Sequence, residues 1–301
     1  MKVLYFGTYS IGEGYPRNSV IIHGLRENGV EVIECHEDLW RGSKDKIKRV
    51  GAIPGLLIIL PRLLRTYISL IYRFIRSPDY DIIIVGYTGQ FDIFLARILN
   101  LFKKKPVILD AFISIYDTIV MDRSLVSPGS IRATLLWWLD RTACRVADLI
   151  LLDTSEHINY FVKEFGLPRE KFLRLFVGGD EVANKAGIMN KELGIRIQET
   201  KNKKQKDGTF NVLYFGTYIP LHGVEYIIKA AKRLEDEEDI CFTLIGTGQL
   251  LEDTKRLASD LSCKYIEFID RWVSSTELVS YISKSDVCLG IFGITEKTSR
   301  V

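Results

Sequence analysis

The seven residues VLYFGTY occupy Val3 to Tyr9 and recur unchanged at Val212 to Tyr218, 209 positions later. In each copy an apolar run ends at a glycine and a short loop follows, then a second glycine (Gly14, Gly223) opens a helical pattern. A strand that ends in such a loop and feeds a helix is how a parallel α/β domain begins. The repeat therefore predicts two domains of that kind in one chain, each starting with its own copy. The length of 301 residues is long for a single core and ample for two.

The rest of the chain follows the same rhythm. In the first half, KVLYF, VEVIEC, DIIIV, PVILD and LILL alternate with amphipathic segments. Near-continuous Ile/Val/Leu runs of this kind mark strands covered on both faces, as in a parallel sheet. After FLRLFVGGDE the pattern stops, and a polar stretch ending in KNKKQKDG reads as a linker or surface insertion. The alternation restarts with FNVLYF, CFTLIG, YIEFI and VCLGIF, separated by helical patterns. The expected organisation is an N-terminal Rossmann-like domain over 1–179, a linker over 180–209 and a second Rossmann-like domain over 210–301.

Charge and cysteines narrow the function classes. A net charge of +3, with no aromatic-studded basic stripe, argues against nucleic acid. The five cysteines are scattered, with no CxxC and no histidine at ligand spacing, so they read as reduced and mostly buried, and no metal site is expected. The longest apolar run, IPGLLIILP, is much shorter than the ~20 residues of a spanning helix. A cytoplasmic protein without a leader peptide is expected.

One stretch suggests a surface association. Between Pro54 and Ser77, Arg62, Arg65, Arg73 and Arg76 form one helical stripe, and Leu64, Ile68 and Ile75 lie on other faces. A helix of this kind either lies in an anionic membrane interface through residues 54–77 or buries its apolar face against the sheet with its arginines in water. The first reading places the protein peripherally on the inner face of the membrane.

The second half, with YFGTYIPLHGVEYIIKAAKRL, then FTLIGTGQ, then YIEFIDRWVSSTELVSYISKSDVCLGIFG, resembles the nucleotide-sugar-binding domain of family 4 (group 1) glycosyltransferases of the GT-B fold. The stretch DRTACRVADLILLDTSEHINYFVKEFGLPREKFLRLFVGGDE is similar to the end of that family's first domain. The resemblance implies two Rossmann-like parallel-sheet domains facing a cleft. It also implies a retaining transfer from a nucleotide diphosphate sugar to a hydroxyl of a lipid-linked or glycan acceptor, without a cofactor or required metal. It places Gly216, Thr217, Gly223, Gly246 and Gly248 around the donor, where helix N-termini and bare backbone suit a diphosphate. Where the family carries Arg and Lys to neutralise the leaving diphosphate, this chain has Thr217 and His222; His222 is a phosphate donor by this reading, and Lys297 and Arg300 are candidates to restore charge. On the acceptor side the resemblance gives the loop of Gly12, Gly14, Arg17 and Asn18, with Asp110 and Asp117 as acids to orient the hydroxyl; Asp110 reads equally as a loop cap. The match ends at GIFGITEKTSRV, which makes the second domain incomplete and the chain truncated by this reading.

Three other functions stand beside it. A dinucleotide-dependent oxidoreductase would need GxGxxG after the first strand, and GTYSIGEG lacks that spacing, although Glu34 and Glu37 sit near the position of its acid. A nucleotide-sugar epimerase of the same fold is the closer enzymatic alternative, and an inactive binding or scaffold fragment is the third.

Overall fold

The computed structural model describes residues 1–11, 16–39, 53–178 and 208–300, with side chains in the helix that begins at Ile53 described from residue 61 onward. Gly12 and Gly14 lie outside the described residues, as does most of the expected linker. Contacts divide the chain into two units. The first comprises Met1–Val120, Leu125–Gly178 and Arg300; the second comprises 208–299 together with Met121–Ser124.

The first unit is a six-stranded sheet, all parallel, in the order β2-β1-β3-β4-β5-β6. Its strands are β1 (Lys2–Gly7), β2 (Glu31–His36), β3 (Ile82–Val85), β4 (Val107–Phe112), β5 (Leu149–Leu152) and β6 (Phe172–Arg174). The connecting helices are α1 (Pro16–Glu27), α2 (Ile53–Ile75), α3 (Asp92–Leu99), α4 (Ile131–Val146) and α5 (Ser155–Phe165). With right-handed crossovers, the step from β1 out to β2 puts α1 on one face, and the return steps put α2 to α5 on the other. The core divides accordingly. Val3 and Tyr5 of β1 pack with Ile22 of α1, while Leu4 and Phe6 pack with Leu70, Phe74, Ile93 and Ala96 of α2 and α3. The period of two along β1 thus feeds both layers, which is why that strand must be apolar throughout.

The second unit is a four-stranded parallel sheet in the order β10-β7-β8-β9. It contains β7 (Phe210–Phe215), α6 (Val224–Arg233), β8 (Ile240–Ile245), α7 (Leu251–Asp260), β9 (Ile266–Ile269), α8 (Ser275–Lys284) and β10 (Val287–Leu289). Its core joins Val212, Tyr214 and Leu244 of the sheet to Ile227, Ile228 and Ala258 of α6 and α7. The expected pair of Rossmann-like α/β sheets is thus present, and the repeated heptapeptide forms an interior strand of each sheet, β1 and β7.

Two expectations differ from the structure. Of the five cysteines only Cys35 and Cys144 are buried; Cys288 is exposed, on the edge strand β10. Asp110 lies inside β4 rather than in the loop after it.

Candidate functional site

The repeated heptapeptide does the same work twice. In the first unit the Tyr5 hydroxyl donates to Asn18 Oδ1 at 2.9 Å, near the start of α1. In the second, the Tyr214 hydroxyl meets His222 Nδ1 at 2.7 Å, in the one-turn 3-10 segment Pro220–His222 that precedes α6. The second tyrosine of each copy, Tyr9 or Tyr218, lies edge-on to the first at 4.9 or 5.9 Å and is fully buried. In each unit a buried tyrosine pair thus runs from an interior strand into the loop after it, and the first tyrosine holds a polar residue in the helical turn that follows. Carboxyl ends of parallel strands are where open α/β sheets bind ligands.

On the first unit, Asn18 is locked. Its Oδ1 also accepts from the Tyr87 amide at 3.0 Å, and its Nδ2 donates to the carbonyls of Tyr87 at 2.7 Å and Ser10 at 3.2 Å. The amide thus ties the end of β1 to the loop after β3. Arg17 and Asp110, 93 residues apart, form a fork. Arg17 Nε lies 3.0 and 2.8 Å from the two Asp110 oxygens, and Nη2 lies 2.7 Å from Oδ1. The guanidinium sits 4.4 Å from the Phe112 ring centroid, and its Nη1 makes one long contact, 3.5 Å, to the Leu175 carbonyl. Asp110 has no exposed surface; burial pushes its carboxyl up, and the Arg17 guanidinium opposes that. Charge-assisted, doubly hydrogen-bonded geometry of this kind favours the carboxylate against that burial. Asp117 is also buried, at the start of a π-helical turn (Asp117–Asp122), and accepts from Arg300, which belongs to this unit, at 2.6 Å.

Sequence reasoning missed three buried carboxylates here. Asp92 opens α3 and accepts from the Thr8 amide, the Thr8 hydroxyl and the Tyr67 hydroxyl at 2.6, 2.9 and 2.7 Å; burial pushes it up. Asp140 of α4 accepts from Ser114 and the Tyr116 amide at 2.7 and 2.8 Å, and burial pushes its carboxyl up to about 6. Asp153, just after β5, meets His157 Nδ1 at 2.6 Å. The available signal was an aspartate set inside an apolar helix or at a strand end, a position that only a satisfied hydrogen-bond set makes tolerable.

On the second unit, the loops after β7 and β8 are pressed together backbone to backbone. Gly246 has φ +139°, and a Cβ there would stand 1.8 Å from the Gly216 carbonyl oxygen; one on Gly248 would meet Tyr218 backbone at 2.4 Å. These close approaches are the reason for glycine at both places. The Gly216 amide donates to Ile245 at 3.0 Å and the Tyr218 amide to Thr247 at 3.0 Å, which sets the two loops in register. Gly216, Thr217 and His222 remain half-exposed, Gly248 is exposed, and Gly223 is the N-cap of α6 with no side-chain cap on the helix. At the α6 N-terminus the Gly223 amide donates to Pro220 and the Tyr226 amide to Gly223, while the Val224 and Glu225 amides, next to His222, have no intrahelical partner.

The state of His222 follows from its surroundings. Burial pushes the Tyr214 phenol up, so it stays protonated; its oxygen lies 2.7 Å from His222 Nδ1 and donates at 3.3 Å to the Thr217 carbonyl. Burial also lowers His222, with Arg123 adding to the effect. A lowered His222 favours the neutral ring at pH 7, which keeps one N–H donor and carries no full charge. Lys297 is buried in this unit. Among the described residues, no three His, Cys, Asp or Glu side chains are grouped so as to hold a metal ion.

No protein-family model matches the sequence, and no curated protein matches it. Solved structures do. Anabaena Alr3699/HepE in complex with UDP and glucose superposes with a TM-score of 0.54 at 12% identity, over 96% of this chain and 74% of that one. An E. coli trehalose-6-phosphate structure bound with UDP-2-fluoro glucose gives 0.60 at 11%, over 96% and 78%. The lipopolysaccharide outer core galactosyltransferase WaaB in its apo form gives 0.52 at 15%, over 96% and 74%. At such identities the likeness establishes the fold, two Rossmann-like parallel sheets.

Proposed function

We propose that this chain is a glycosyltransferase that moves a sugar, with retention of configuration, from a nucleotide diphosphate sugar to a hydroxyl of a glycolipid or polysaccharide acceptor, in the manner of family 4 enzymes. The observation that carries the reading is the carboxyl edge of the second sheet. There Gly216, Gly246 and Gly248 let two loops close on one another, and His222 stands beside the uncapped N-terminus of α6. The neighbours of the same fold that hold UDP and glucose, or UDP-2-fluoro glucose, support a nucleotide sugar as the ligand.

In this reading the diphosphate lies against the loop of Gly216 and Thr217. The His222 imidazole and the first amides of α6 donate to it, and Gly246 and Gly248 keep side chains out of its path. Neutral donors and a helix dipole, aimed where negative charge grows on the leaving group, lower the barrier without a permanent cation at either position. Lys297 adds its charge to the same half-site. In the first unit, Asp110 acts as a positioning residue that fixes the Arg17 plane, leaving Nη1 for an acceptor oxygen, and Asp117 orients the acceptor hydroxyl.

The test is incubation of the chain with radiolabelled UDP-, GDP- and ADP-sugars and a lipid-linked acceptor pool, with EDTA present throughout. Labelled acceptor should form from one sugar nucleotide, and His222→Ala should weaken use of that donor by roughly 10–100-fold, the worth of one phosphate hydrogen bond. Epimerised sugar nucleotide with no acceptor product, or activity that returns only when manganese is added, would overturn it.

A further inference from the structure

The turn that carries Asp117 is held by a side chain from another helix. Residues 115–122 are helical with Ser114 just before them, and Ser114 and Asp117 have the spacing of a capping box. Ser114 Oγ accepts from the Asp117 amide at 2.9 Å, and the Ser114 carbonyl accepts from the Thr118 amide at 3.1 Å. The Ile115 and Tyr116 amides, the first of the turn, have no acceptor within it. Asp140 of α4 supplies one. Its Oδ2 accepts from the Tyr116 amide at 2.8 Å and from the Ser114 hydroxyl at 2.7 Å, and the Ile115 amide faces the same carboxyl. A hydroxyl has one hydrogen to give. Because Ser114 directs it to Asp140, a lone pair is left for the Asp117 amide.

The charge on Asp140 is what calls for a reason. The residue is 1% exposed and shares the buried face of α4 with Ala133, Ala143 and Cys144. A neutral acceptor there would satisfy the same amides without the cost of desolvating a carboxylate. A charge kept at a cost to stability is the kind of local conflict that marks functional places. Asp140 Oδ1 is buried with no hydrogen-bond partner among the described residues, so a proton taken up by the carboxyl can sit there and leave both bonds at Oδ2 in place. Those bonds then pass from charge-assisted to neutral, roughly half as strong.

The groups facing this carboxyl are Asp117 on the turn, Cys144 on α4 and Tyr160 on α5. Burial, with Asp117 adding to it, pushes Asp140 up to about 6, and burial keeps the Cys144 thiol and the Tyr160 phenol protonated. Arg300 binds Asp117 and covers the Tyr160 ring at 4.2 Å, and Glu164 accepts from Trp137 Nε1 at 2.8 Å. We infer that Asp140 is a positioning residue for Asp117: its carboxylate, through Ser114 and the Tyr116 amide, fixes the turn that presents Asp117 to an acceptor. Sugar transfer should therefore follow the charge on Asp140. The role given to Asp117 rests on the sugar-transfer reading; the order of its turn does not.

Two measurements on the full chain keep the two apart. Hydrogen exchange without substrate, expressed as protection factors so that the intrinsic pH dependence drops out, reads the turn. The Tyr116, Asp117 and Thr118 amides should lose about 10-fold in protection from about pH 7.5 to 5, and Asp140→Asn should show the lower value at both. At saturating donor and acceptor, kcat should fall about 10-fold over the same range with a midpoint at about 6. Asp140→Asn should begin about 10-fold down at the upper pH, lack this acid limb and leave KM for the donor unchanged. It should also melt no lower than wild type at that pH, because no buried charge remains to desolvate, whereas a merely structural role would lower stability along with activity. Ser114→Ala removes one donor from the carboxylate and should move the limb to higher pH. Wild-type kcat in Asp140→Asn, an acid limb unchanged in that variant, or unchanged protection at Tyr116 and Asp117 would each overturn the inference. Transfer absent from every form, with protection changing as expected, would overturn the sugar-transfer reading and support the positioning of the turn.

Discussion

Replacing Asp110 with asparagine should destabilise the first unit severely, for a reason that also decides what Arg17 is for. The perturbation keeps volume and one acceptor oxygen but removes the charge opposite a guanidinium that is only 5% exposed. In the native pair three N–O contacts lie between 2.7 and 3.0 Å, and solvent reaches neither partner well enough to screen it. Leaving one member of such a pair buried and uncompensated costs roughly 3–5 kcal/mol. Replacing both with apolar residues, Arg17→Met with Asp110→Leu, removes the uncompensated charge and should cost about 1 kcal/mol or less. Urea unfolding followed by fluorescence of Trp137 and Trp138 reports on this unit, and the cycle of single and double variants gives a coupling energy of about 3 kcal/mol or more. The stable double variant then separates fold from function: if Arg17 Nη1 contacts the acceptor, it should fold and fail in transfer. A cost below about 1 kcal/mol for Asp110→Asn, or a double variant as unstable as the sum of the singles, would refute the reasoning that this is a desolvated, mutually satisfied pair.

Two further outcomes are expected. Asp140 holds its proton up to about pH 6 in the folded unit, while unfolded aspartate releases it near pH ~4, so the native state binds more protons between those values and stability falls as pH rises through them. Asp140→Asn should flatten that slope, worth roughly 3 kcal/mol for about two pH units, in urea midpoints measured from about pH 4 to 7; an unchanged slope would assign the titration elsewhere. Gly246→Ala, whose methyl would meet the Gly216 oxygen, should cost the second unit more than about 2 kcal/mol. Gly29→Ala, also at positive φ but with open space around it, should cost only about 1 kcal/mol, and equal melting temperatures for the two variants would refute the close-packed loop.

The fold was legible because its cause is local. Apolar runs of four to six residues ending at Gly7, Gly216 or Gly246 can form buried parallel strands and little else, and the duplicated heptapeptide marks where each sheet begins. The site was only partly legible, since its pairings cross the sheet. Arg17 at the start of α1 reaches Asp110 on β4 because β1 and β4 both flank β3, a neighbourhood that no spacing along the chain reveals. Asp110 reads from sequence as a loop acid, because a charged residue inside a strand is tolerated only when its partner is known. Tyr214 was hidden for the opposite reason: as part of an apolar strand it passes for core, and only its hydroxyl contact with His222 shows that it holds that ring in place. In α2, charge spacing shows where the arginines run, but the positions buried against the sheet, Thr66, Leu70 and Phe74, decide that Leu64, Ile68, Tyr72 and Ile75 remain outside.

The most direct test of the central claim is amide hydrogen exchange of the whole chain with and without saturating nucleotide diphosphate sugar. Sugar-nucleotide binding at the carboxyl edge of the second sheet predicts slowed exchange concentrated in residues 216–224 and 247–250, reduced in His222→Ala and unaffected by NAD. Protection confined to the first unit, or the same protection produced by NAD, would contradict it.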